Sequence, residues 1–177
     1  MQAQLTPPSV ELAGKILREV GWEEKLEGRS CDSGSGDMSE YVYQIKHAYN
    51  LLQSDVFRLD LRKLQQWVGE VLGDEEVAAE IGALLETMPD GDETEIWNRV
   101  WSASDAEAQA EAQRLAQDQA AALTAGRTHV REGIIRLLGV RIAQCTAILG
   151  RSATEDGFSA DHGGSTSSAT KRQTPGS

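Results

Sequence analysis

The chain has 177 residues, with 17 Lys and Arg against 28 Asp and Glu, a formal net charge of −11 and two cysteines. That length supports one sizeable core and is short for two ordinary domains. The charge repels nucleic acid and anionic membrane surfaces, and two cysteines do not make a disulfide scaffold; the expectation is a reduced, cytoplasmic protein that binds no nucleic acid.

Residues 1–8, which include Pro7 and Pro8 and lack the continuous apolar run of a signal peptide, read as an N-terminal extension to a helical domain at 9–151. After the cap candidate Ser9, the residues Val10, Ala13, Ile16, Leu17 and Val20 recur at helical spacing, predicting a first helix that ends or kinks near Gly21. Residues 28–38 are crowded with Gly, Ser and Asp and read as a loop. Tyr41, Ile45, Ala48 and Leu52 then fall at i, i+4, i+7 and i+11; Tyr41, Tyr43 and Ile45 also alternate as a strand would, and helix is the favoured reading.

From Leu61, a stripe of Leu64, Val68, Val71 and Leu72 stops at Gly73, and Asp74 opens a second stripe of Val77, Ile81, Leu84 and Leu85. These predict a helical hairpin. Trp97 and Trp101, four apart, read as two rings inserted into a core from a short helix. Residues 104–151, capped by Ser104, lack proline and are dominated by Ala, Gln, Leu, Glu and Arg, which predicts one long helix bent near Gly126. Residues 152–177 have little to bury and read as a disordered tail. The predicted fold is all-α: a single-domain helical bundle of about five helices with a long C-terminal helix.

The most apolar stretch, residues 133–150, is long enough to raise the question of a membrane span. Arg136 and Arg141 within it would each cost roughly 2.5–3.5 kcal/mol at a bilayer centre, so insertion is rejected. A heptad-like seam remains, with Leu123, Val130, Ile134, Leu137 and Ile148 as interface candidates for a coiled-coil homodimer. Arg136 falls outside it, where Glu132 offers an i, i+4 partner; Arg127 and Arg141 fall within it and must snorkel or meet a carboxylate. Carboxylates are plentiful: residues 70–118 hold fourteen acids against Arg99 and Arg114, while residues 126–151 hold five arginines against Glu132. The two sections can dock within one chain or between two, for instance by antiparallel pairing of the long helix with Glu107 and Glu111 of a second copy. If Arg141 is only one half of a buried pair, Arg141→Leu is expected to preserve stability. The sharper alternative is an anion-binding site formed by Arg127, Arg131 and Arg141.

Other constellations carry less. His47, His129 and His162 are scattered, without the spacing of a zinc site, and the acids from Asp90 lack the terminal ligand of a twelve-residue calcium loop, so neither metal nor cofactor is implied. Ser33 and Ser35 have no strand-turn-helix context for a nucleophile. The words WVGEVLGDEEVAAEI resemble a segment of uncharacterised prokaryotic domains, and no activity comes with that likeness. The stretch HVREGIIRLLGVRIAQCTAILGR is similar to the first helix of the all-α chorismate mutases, a resemblance that would cast Arg131, Arg141 and Arg151 as anion binders. That family's helix opens its domain, whereas this one precedes a Gly- and Ser-rich tail, and the enzymatic reading is set aside. The reading that remains is a non-enzymatic protein-interaction or accessory protein that self-associates through its long helix.

Overall fold

A computed structural model describes residues 4–30, 39–54 and 57–159. The chain is a single-domain, mostly helical bundle whose core is organised around a long C-terminal helix. Six α-helices occur among the described residues: α1 (Val10–Leu17), α2 (Ile45–Leu52), α3 (Leu61–Glu70), α4 (Glu75–Glu86), α5 (Glu93–Trp101) and α6 (Ala106–Ser159).

Helix starts follow capping chemistry. The side chains of Ser9, Asp60, Asp74 and Asp92 accept backbone N–H groups that open α1, α3, α4 and α5. For α6 the side chain that does this is Asp105, one residue after the expected Ser104, accepting the Ala108 N–H at 2.8 Å. The stop between α3 and α4 is Gly73, whose φ of +73° suits a residue without Cβ.

Among the described residues, three short antiparallel strands flank the bundle, where the expected fold was all-α: β1 (Leu26–Ser30), β2 (Ser39–Val42) and β3 (Phe57–Leu59), in the order β2-β1-β3. Leu26 lies opposite Val42 and Gly28 opposite Leu59, so Leu26, Val42 and Leu59 turn one face of the sheet into the core. The helix expected from Tyr41 begins only at Ile45; Tyr41 lies in β2, which ends at Val42, before the alternating Tyr43 and Ile45. Residues 31–38 of the expected loop lie outside the described residues, and its first residues belong to β1.

The main core joins Ala13 and Ile16 of α1, Ile45 and Ala48 of α2, Leu64 and Val68 of α3, and Val77 and Ile81 of α4 to one face of α6. Gly126 does not interrupt α6; a Cβ there would come within 2.6 Å of Pro89 Cγ, so glycine admits the α4–α5 connection against the helix. Toward its N-terminus from that point α6 runs on with, among the described residues, only α5 beside it, and Ile96, Val100, Ala116 and Leu123 form a small second cluster. We refer to α5 with the first part of α6 as the arm. At its other end α6 reaches Ser159, past the expected boundary at 151; the tail from 160 lies outside the described residues.

Candidate functional site

At 54 residues α6 is about 81 Å long, and it carries all three arginines of the expected anion site. The structure does not bring them together. Arg127 and Arg141 are separated by about 21 Å along the axis at 1.5 Å per residue. Each one ties α6 to a different segment. Arg127 is exposed and donates from Nη2 to the Gly91 carbonyl at 2.7 Å, which fastens the α4–α5 connection. Arg131 donates from Nε to the Leu52 carbonyl at 2.6 Å and from Nη2 to the Ser54 carbonyl at 3.0 Å, holding the end of α2.

Arg141 is the centre of a buried polar network. Its side chain and that of Asp74 are each 1 % exposed, with Nη2 3.2 Å from Asp74 Oδ1 and 2.6 Å from Glu76 Oε2. Nε lies 2.7 Å from Asp74 Oδ2, an ionic contact without hydrogen-bond geometry. Nη1 donates to the Thr6 carbonyl at 2.7 Å and to Gln144 Oε1 at 3.0 Å, and Gln144 Nε2 donates to the Leu5 carbonyl at 3.1 Å. Glu76 Oε1 in turn accepts the Thr6 N–H at 2.9 Å, a bond that, with the Arg141 guanidinium, holds the Glu76 carboxyl below the usual glutamate range. The carboxylates foreseen for Arg141 therefore come from its own chain, at the start of α4. The sequence signal was the Asp74 cap followed by acids; what it did not reveal was that residues 5 and 6 of the N-terminal extension are part of the same network.

The five interface candidates also face inward. Val130, Ile134 and Leu137 belong to the main core, Ile148 packs against it, and Leu123 packs against α5. The seam expected to hold a second copy is the seam that holds this chain's own helices. One window of α6 is apolar and long enough to cross a bilayer by length and composition, but the paired Arg141 lies on the apolar face that packs against α1, α2 and α4.

The tryptophans divide unexpectedly. Trp97 is half-buried against the arm cluster, while Trp101, expected in a core, is 74 % exposed at the end of α5. The core tryptophan is Trp67, whose Nε1 donates to the Glu24 carbonyl at 2.6 Å. Trp22 is exposed beside Tyr41, with ring centroids 5.3 Å apart and Lys25 Nζ 3.8 Å above the Trp22 ring. Trp22 and Lys25 are three residues apart, the spacing that could have signalled the contact.

Cys145 sits wholly inside the core, where burial pushes its thiol above the usual cysteine value, the opposite of an activated thiolate. Among the described residues, no group of three His, Cys, Asp or Glu side chains is placed to hold a metal ion. A surface depression lined by Lys15, Gln65, Gly69, Gly73 and Ala78 is an open trough between α1, α3 and α4. Compared with known proteins, the chain matches no family model, no curated protein and no solved structure.

Proposed function

We propose that the chain is a non-enzymatic interaction protein that assembles with a second copy of itself through α6. The observation that carries this reading is a helix that outruns its own core: α6 continues well past the bundle into an arm where, among the described residues, α5 alone lies against it, and Leu115 on the arm and Val140 on the bundle are 46 % and 47 % exposed. A helix of that length with solvent on one side throughout is a large surface for a domain of this size. The anion-binding alternative has less support, because Arg141 is enclosed by carboxylates and carbonyls, and Arg127 and Arg131 are bonded to backbone carbonyls of neighbouring segments. Light scattering coupled to size exclusion tests the reading. A dimeric mass that dissociates on dilution is expected; a monomeric mass at every concentration would remove self-association.

A further inference from the structure

We infer that the start of α4 and the Arg141–Gln144 turn of α6 form a peptide-binding cleft, filled in this structure by the chain's own residues 4–8, and that an extended segment of the same kind supplied by another molecule takes their place. The cleft lies in the bundle, away from the arm, so its occupancy does not depend on self-association through α6.

Residues 4–8 are held in the way a bound peptide is held. The hydrogen bonds that tie them to the bundle run to main-chain groups: Glu76 accepts the Thr6 N–H, Arg141 donates to the Thr6 carbonyl, and Gln144 donates to the Leu5 carbonyl. Both main-chain groups of Thr6 are engaged, as a neighbouring strand would engage them. Leu5 and Pro8, three apart, are buried, while Gln4, Thr6 and Pro7 are exposed. Main-chain bonds supply affinity for any extended segment, and two buried apolar side chains supply selection, so the partner that fits carries the pattern Leu-x-x-Pro.

The reading groups keep their aim without the occupant. Arg141 is oriented by Asp74 and Glu76, and its Nη1 fixes the Gln144 carboxamide; none of these contacts involves residues 4–8. The helix that follows the segment is anchored separately, with Ala13 and Ile16 in the main core and the Ser9 side chain capping the first turn of α1. Residues 4–8 therefore swing out about Ser9 with the helices in place. Pro7 and Pro8 preset φ at two of these positions, so a free segment of this kind gives up less freedom on seating than an ordinary peptide.

Two measurements on the full-length chain test this. Leu5→Asp places a charge at a position that is 6 % exposed and is expected to eject the chain's own segment. A fluorescein-labelled peptide with the sequence of residues 1–9, followed by anisotropy, is expected to bind the Leu5→Asp chain saturably and at least about tenfold more tightly than it binds wild type, where the chain's own segment competes; the same peptide N-methylated at Thr6, which cannot donate to Glu76, is expected to bind at least about tenfold more weakly. In wild type, the Thr6 N–H is expected to exchange with solvent at least about tenfold faster than the Ala78 N–H, which bonds to the Asp74 carbonyl at the start of α4. No binding to the folded Leu5→Asp chain, equal binding of the methylated peptide, or Thr6 exchange in step with Ala78 overturns the exchangeable cleft. A Leu5→Asp chain that does not fold overturns it too, because residues 4–8 are then an indispensable part of the core.

Discussion

Between Val130 and Cys145, α6 buries Val130, Ile134, Leu137, Leu138, Arg141 and Cys145 against α1, α2 and α4, whereas from Ala106 to Leu123 it buries only Ala116 and Leu123, against α5. The backbone is one continuous helix, yet the two halves are stable for different reasons. The bundle half contains β-branched residues and glycines that lower helix propensity and is held by packing, while the arm half is written largely in Ala, Gln and Glu, which favour the helix without a partner. The arm can thus remain helical with one thin apolar contact, and its outer surface stays free.

The largest break in this comparison is expected at Arg141. Because Asp74 would be left buried without its cation, and the Thr6 carbonyl without its donor, Arg141→Leu is expected to lower stability by about 3–5 kcal/mol, measured by denaturant unfolding. This reverses the expectation drawn from the isolated pair, since the guanidinium also satisfies backbone and carboxamide groups that leucine cannot. A variant as stable as wild type would mean that the network contributes nothing to the bundle.

In the arm, Leu123→Ala removes a large buried side chain of the α5–α6 contact at a cost of about 2 kcal/mol, the low end for a leucine truncation. Backbone amides of 106–123 are expected to exchange about 30-fold faster, while those of 130–145 keep their protection. Equal acceleration in both halves would show that arm and bundle open as one unit.

The smallest effect concerns acid. Since the Glu76 carboxyl titrates lower in the folded chain than in the unfolded chain, its contribution is fully present above the ordinary glutamate value and is lost as the pH falls through the lowered folded value. Glu76→Gln is therefore expected to show a shallower loss of melting temperature on acidification, with the gap to wild type closing at low pH. Parallel pH profiles would mean that Glu76 is not titrating against Arg141 and Thr6.

Much of the bundle was legible because helical period and capping chemistry are local. The Gly73 stop, the Asp74 cap and the long helix are all set by a few neighbouring residues. The strands were not, because β1 and β2 are short and Leu26 and Val42 make sense only against each other. The partnership of Arg141 was half legible: an arginine in an apolar arc demands an acid, but Asp74 and Thr6 are 67 and 135 residues away, and no local pattern names them. The seam misled for a related reason. An apolar stripe states that something covers it, not whether the cover is the same chain or another, and here Leu123 and Ile134 are covered from within. Trp101 shows the converse: α5 turns Ile96 and Val100 to α6, and the ring one residue further on is left outside.

The Arg141 network also bears on when the chain can fold. Its contacts to Thr6 and those of Gln144 to Leu5 close loops of 135 and 139 residues, and α1, α2 and α4 all pack against α6. During synthesis, the faces of α1, α2 and α4 that pack on α6 must therefore wait uncovered until residues near 145 have left the ribosome. Contacts of such long sequence separation also slow the search for the native state. A nascent chain stopped before α6 would be expected to behave as an aggregation-prone intermediate, even though four of its helices already carry good caps.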